Sequence, residues 1–255
     1  MMTRVLTSAI LIPVVVGVVL YGPAWALLVL LAAVGIFAFQ EFDGIVAAHG
    51  IRRSGWPAIA AGVVLLVAPE PLLPLVVLLA LALMTLHLRA DKLETILAAA
   101  AAALLGVIYV FGAWRCAVLL RELNPHWLMV ALLVSWVGDT AALYVGRTFG
   151  RKKLAPRLSP AKTWEGSGAS LVAGTLAGAA YAYFLLPAAP LALAAAVSGA
   201  GNIAGQVGDL CESALKRGAG WKDSGHSLPG HGGWLDRIDA VLFSIPVVYL
   251  ILRIL

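Results

Sequence analysis

Residues 189–239 read APLALAAAVSGAGNIAGQVGDLCESALKRGAGWKDSGHSLPGHGGWLDRID. The first part is an apolar run long enough to cross a bilayer. The second is too polar for a plain connection between two such runs. Between Asp209 and Asp239 stand nine of the chain's 31 Lys, Arg, Asp and Glu residues, and two of its five His. Six Gly lie between Gly218 and Gly233. Cationic side chains and backbone N–H groups bind phosphate, and carboxylates hold the hard cation that neutralises it. The segment therefore predicts phosphate and metal chemistry at the end of a membrane helix.

The rest of the chain supports the membrane setting. Its 255 residues are 62% hydrophobic and 12% charged, with a mean hydropathy of +0.95, whereas a soluble domain carries about 25% charge. The expected fold class is all-α, a polytopic integral membrane protein in the lipid bilayer. Apolar runs punctuated by Pro, Gly and charge give nine spans, near 4–22, 24–41, 56–69, 71–89, 94–112, 127–147, 166–187, 189–210 and 238–254. The third is short, bounded by Trp56-Pro57 and Pro69. Arg4 followed by Val5–Leu20, with Ala24-Trp-Ala26 beyond, has the outline of a signal peptide. Eight further spans follow, so it reads as a retained helix.

Basic residues test that count, because they gather in cytoplasmic loops. With the N-terminus inside, Arg4, Arg52, Arg53, Arg89 and Lys92 fall on the cytoplasmic side. So do Arg147, Arg151, Lys152, Lys153, Arg157 and Lys162, and then Lys216, Arg217, Lys222 and Arg237. These are 15 of the 18 basic residues; Arg115, Arg121 and Arg253 are the exceptions. The predicted topology is N-in and C-out. The same loops account for the net charge of +5, so nucleic acid is not an expected partner. Cys116 and Cys211 make neither a disulfide framework nor a metal cluster.

The first five spans are nearly all Leu, Ala and Val, while polar residues enter the last four, where the bilayer penalises them and they mark a site. The chain divides into a scaffold, 1–125, and a catalytic region, 126–255. In the eighth span Ser198, Asn202, Gln206, Asp209, Ser213 and Lys216 recur every three or four residues and share one helical face. Ser, Asn and Gln alone read as interhelical glue; Asp209 and Lys216 favour a functional face lining a polar cleft. Asp236 and Asp239 lie three apart at the start of the last span, where Asp239 reads equally as a helix cap. A carboxylate from each of these two spans could share a Mg²⁺, which takes one or two carboxylates plus substrate phosphates. His226 and His231 have no thiolate near them in sequence and many oxygen donors around, so zinc is not expected.

A second constellation surrounds the sixth span. Asp139-Thr140 lies inside it, followed by Gly146-Arg147, the basic run Arg151-Lys152-Lys153, and Ser159-Pro160-Ala161-Lys162-Thr163-Trp164-Glu165-Gly166. Basic residues interleaved with Ser, Thr and Gly suit a polyphosphate. Gly174 and Gly178 permit close helix packing, either within one chain or in a homodimer.

At these residues the sequence closely resembles the phosphatidate cytidylyltransferases, or CDP-diacylglycerol synthases. Their signature has the form S-x-φ-K-R-x4-K-D-x-small-x2-φ-x2-H-G-G-φ-x-D-R-φ-D, with φ apolar. Here it runs from Ser213 through Lys216-Arg217, Lys222-Asp223, Gly225 and His231-Gly232-Gly233 to Asp236-Arg237-Ile238-Asp239. Every charged position matches. The Asp139–Gly166 elements and Arg4-Val-Leu-Thr7 are also similar, so the likeness is strong in the last half and an outline in the first. Ala161, where Lys is frequent, is expected to soften phosphate binding, and Trp234 replaces a smaller aliphatic.

The resemblance implies that CTP and phosphatidic acid become CDP-diacylglycerol and pyrophosphate, at a bacterial inner membrane with the site facing the cytoplasm. The lipid phosphate is itself the nucleophile, so charge neutralisation and positioning do most of the work. Asp209 and Asp236 are assigned to Mg²⁺, with Asp239 and Asp139 as supporting or second-cation ligands. Lys216, Arg217, Lys222 and Arg237 clamp the phosphates; Ser159, Lys162 and Thr163 close the site, with Arg147 and Ser213 as further phosphate-binding candidates. Gly232 and Gly233 allow close backbone approach. His231 is a phosphate donor or orients the loop. A CDP-alcohol phosphotransferase would need the D-G-x2-A-R-x8-G-x3-D-x3-D pattern, which is absent. A CTP-dependent polyprenol or lipid kinase would move the γ-phosphate instead, and an ion-coupled transporter should show an internal repeat.

Overall fold

The computed structural model describes residues 2–70, 72–89, 93–227 and 232–254, with side chains from Ala9 onward. Lys92 and His231 lie outside the described residues. Among those described, ten α-helices follow one another: α1 (Met2–Leu20), α2 (Ala24–Ala48), α3 (Gly55–Val67), α4 (Leu72–Leu86), α5 (Ile96–Gly106), α6 (Ala113–Leu123), α7 (Pro125–Phe149), α8 (Trp164–Leu185), α9 (Leu191–Gly218) and α10 (Leu235–Ile254). A π-helical stretch, Val107–Gly112, joins α5 to α6. The chain is 82% helical.

Nine helical runs thus coincide with the nine expected segments, but among the described residues only five are long and apolar enough to cross a membrane. These are Ala24–Ala48, Leu93–Leu123, Pro125–Phe149, Trp164–Leu185 and Leu191–Gly218. With 13 and 15 residues, α3 and α4 fall short of the ~20 that a bilayer requires, and α10 opens on Asp236, Arg237 and Asp239. Large apolar side chains such as Trp25, Leu73, Leu97 and Phe184 are exposed, as lipid-facing positions of a membrane protein are. The fifth run also continues past its expected end at 112. Its extension explains one exception to the charge rule: Arg121 Nε donates to Val19 O (2.9 Å) and Nη2 to Gly22 O, capping the chain end of α1.

One element departs from the all-α expectation. In the basic loop after α7, β1 (Lys153–Ala155) and β2 (Ser159–Thr163) pair antiparallel, with Lys153 opposite Thr163 and Ala155 opposite Ser159. Pro156 and Pro160 bar a helix here, and an isolated edge pair tolerates them.

Packing groups the chain into two compact units. One takes residues 23–118 and 215–237 with the N-terminal residues up to Ala9; the other takes 10–22, 119–214 and the residues from Ile238 on. Segment 215–237 packs with α2 in the first unit.

In the second unit, Asn124 Oδ1 accepts the His126 N–H (2.9 Å) with Pro125 at the first helical position, so α7 starts where its sequence dictates. The buried Asn202 of α9 donates to Val134 O of α7 (3.0 Å) and accepts from Gln206 Nε2 (2.7 Å). A Cβ on Gly174 would stand 2.6 Å from Asn202 Nδ2, and one on Gly178 would overlap Ser198 Oγ. Both glycines thus serve packing of α8 against α9 inside the chain, and they carry no argument for a homodimer. Asn202 and Gln206 of the polar stripe on α9 are thus interhelical glue.

Candidate active site

The expected site residues fall into two clusters, one in each unit. In the second unit Asp209, 33% exposed, accepts an ion pair from Lys162 Nζ (2.5 Å) and a hydrogen bond from Ser213 Oγ (3.4 Å). Lys162 reaches Asp209 because β2 carries it; its neighbour Thr163 points the other way, buried, with its hydroxyl accepting the Gly166 N–H (3.1 Å) to cap α8. Thr163 thus caps α8, and Ser159 sits at the paired end of the hairpin. Arg147 is exposed in the last turn of α7. Asp239 is buried one turn into α10, its Oδ1 accepting the Ala240 N–H (2.8 Å). It is not the helix cap, since α10 begins at Leu235. The carboxylates of Asp209, Glu212 and Asp139 all act electrostatically on it.

That donor set tests the metal. Among the described residues no three His, Cys, Asp or Glu side chains enclose an ion by themselves. Yet Asp139, Asp209, Glu212 and Asp239 form a field of hard anionic oxygens without His or thiolate, which suits Mg²⁺ and not zinc. A cation held by one or two carboxylates and completed by substrate phosphates fits these residues.

The first unit holds the other cluster. Asp236 stands in the first turn of α10, where the helix dipole favours a carboxylate. Its Oδ1 is ion-paired with the buried Lys216, and its Oδ2 accepts the N–H groups of Ser224 (2.9 Å) and Gly233 (2.8 Å). Gly232 takes φ +80° here, a conformation that favours glycine. Arg217 Nη1 donates to Trp221 O (3.0 Å), and Arg237 is exposed. A cavity of about 570 Å³ is lined by Glu41, Arg53, Trp221, Lys222, Asp223 and His226 among others. None of the α9 stripe lines it. Lys222 and Arg53 give it a cationic side suited to phosphate.

Burial works against the charge on Asp236, but Lys216 and the Gly233 and Ser224 N–H groups outweigh it and hold the carboxyl below its ordinary value of 3.8. A depressed carboxyl pKa stabilises the fold above the unfolded value and ceases to do so as pH falls through the folded one. In metal-free detergent solution, Tm should therefore drop more steeply below about pH 4 in the parent than in Asp236→Asn. Parallel Tm profiles would contradict this.

Sequence reasoning missed Glu41 and Ser224. Glu41 Oε2 accepts from Ser224 Oγ and Leu235 N, and Oε1 accepts from Ser227 Oγ and Trp234 N. The signal was present: a carboxylate at the end of an apolar span is costly and marks a partner. Trp234, the unusual residue of the signature, stacks on Phe37 of α2 with centroids 5.7 Å apart.

Comparison with known proteins decides the family, since a model described as the cytidylyltransferase family matches residues 2–255. The chain belongs to that family. It is 35% identical over 153 residues to a phosphatidate cytidylyltransferase of Bacillus subtilis, covering 59% of this chain and 57% of the relative. Proteins of the same name from Staphylococcus haemolyticus and Pseudomonas aeruginosa are each 39% identical. The first match spans 153 residues, 60% of this chain and 59% of the relative; the second spans 147 residues, 56% and 54%. The chain thus spans a little over half the length of these relatives.

Proposed function

We propose that the protein is a phosphatidate cytidylyltransferase that makes CDP-diacylglycerol and pyrophosphate from CTP and phosphatidic acid. The observation that carries the reading is a carboxylate–lysine pair in each cluster, Asp209 with Lys162 and Asp236 with Lys216. Anionic and cationic groups are thereby kept side by side, as a reaction between two phosphate anions requires. A phosphatidate oxygen forms the new P–O bond at the α-phosphorus of CTP, the α–β bridge breaks, and pyrophosphate leaves with the bond's electron pair. No side-chain nucleophile is needed.

Asp209, supported by Asp239 and Asp139 of the same unit, would hold Mg²⁺, which when bound would neutralise the triphosphate and the leaving pyrophosphate. Lys162, Lys216, Lys222, Arg217 and Arg237 would meet phosphate oxygens, and their charge opposes the repulsion between the substrates. We further assign nine spans, N-in and C-out, in a bacterial inner membrane with the site on the cytoplasmic side. The charge distribution and the nine helical runs support that topology.

CTP labelled in the cytidine or in the γ-phosphate tests the transfer. With phosphatidic acid vesicles and Mg²⁺, cytidine label should enter the lipid and pyrophosphate should appear. Lipid carrying only the γ-phosphate would make the protein a kinase and refute the reading.

A further inference from the structure

Glu41 belongs to α2, in the part of the chain expected to be inert scaffold, yet it is 9% exposed and its carboxylate is filled by four donors. Two come from one end of the signature loop, Ser224 Oγ (2.9 Å) and Ser227 Oγ (2.9 Å). Two come from the other end, Trp234 N (3.0 Å) and Leu235 N (2.9 Å). A carboxylate that is nearly dry is costly unless its lone pairs are taken, and here they are. The backbone is cut to fit it: a Cβ on Gly225 would lie 2.7 Å from Oε1, and one on Gly233 would overlap Oε2.

The contacts continue beyond the loop. The single hydroxyl proton of Ser224 goes to Glu41, so its oxygen accepts the Asp236 N–H (3.3 Å), while the Ser224 N–H binds Asp236 Oδ2. Asp236 in turn pairs with Lys216. Just past α2, His49 Nε2 meets Leu215 O at 3.0 Å, and Asp43 of α2 accepts the Ser54 and Gly55 N–H groups at 2.8 and 3.0 Å, away from the signature loop.

We infer that Glu41 is a positioning residue: it ties both ends of the 224–235 loop to α2 and, through Ser224, sets the place of Asp236 and Lys216 for cytidylyl transfer. This rests on the reading of the protein as a cytidylyltransferase. Glu41 touches no reacting atom in this scheme. Its replacement acts by displacing groups that do, and a displacement of about 1 Å is enough for a hundredfold loss of rate.

The test compares Glu41→Gln, Glu41→Asp and Asp43→Asn, each purified in detergent. Hydrogen exchange of peptides covering 232–240 should quicken in Glu41→Gln and not in Asp43→Asn. Unchanged exchange would overturn the tie itself, whatever reaction the protein performs. In the cytidine-label assay, Glu41→Gln should lose about ten- to a hundredfold in kcat per folded molecule, with Glu41→Asp partly restored. Asp43→Asn should lose stability at most. If exchange quickened but kcat held, Glu41 would be structural only and the positioning role refuted. Failure of the parent protein to transfer cytidine would count against the functional reading alone.

Discussion

Asp209→Asn is expected to abolish most cytidylyl transfer while leaving the fold nearly intact. The replacement amide keeps the shape of the side chain and one of its two oxygens; Ser213 meets Oδ1 and Lys162 meets Oδ2, so one of these partly exposed partners is given up. Both members of the Lys162 pair are partly exposed, where an ion pair contributes only about 0–1 kcal/mol. Tm should therefore hardly move. What the amide lacks is the charge that a hard cation and a developing pyrophosphate require. Loss of one such preorganised electrostatic group costs roughly 10²–10³ in kcat, and higher Mg²⁺ should recover part of it, since affinity is also lowered. Full activity at the parent's Mg²⁺ requirement would remove Asp209 from the metal site. So would a kcat loss that simply tracked a loss of folded protein.

Gly233→Ala should be as damaging by a different route. The added Cβ would overlap Ser224 Oγ and Glu41 Oε2. Neither can swing aside, because each is fixed by reciprocal hydrogen bonds on its other side. The loop must shift, and the Gly233, Trp234 and Leu235 N–H groups lose their alignment with the Asp236 and Glu41 carboxylates. Hydrogen bonds to charged groups contribute about 1.5–3 kcal/mol each, so a loss of about 3 kcal/mol and at least a hundredfold in kcat follows. Gly168→Ala is the matched control. It lies in α8 with open space around the added carbon, and there Ala should stabilise the helix by about 0.5–1 kcal/mol. Equal behaviour of the two alanine variants would mean that residues 224–227 and 232–235 are not packed as described.

Much of the site was legible because its residues are costly where they stand. Asp139, Asp209, Lys216 and Asp236 interrupt or adjoin apolar runs, and only a function or a partner justifies that placement. The same logic applied to Glu41 would have found it, but a lone carboxylate at a helix end also reads as a boundary mark. Thr163 has a second role that its sequence neighbours do not show. A threonine amid basic residues looks like a phosphate ligand, and only the extended backbone before α8 reveals it as a cap.

Sequence alone determined the membrane setting, the order of helical runs and the family, because apolar length and a long charged signature are properties of the chain read in a line. The stripe on α9 was visible too, since spacings of three and four place side chains on one face whatever surrounds the helix. Its division into glue at Asn202 and Gln206 and ion pairing at Asp209 and Lys216 was not, because that depends on which helix each residue meets. Only the tertiary structure showed that 215–237 folds with α2, and that four donors separated by more than 180 residues from Glu41 converge on one carboxylate. Hydrogen bonds of that kind have no period and no motif. They exist only once distant segments have been brought within about 3 Å of each other.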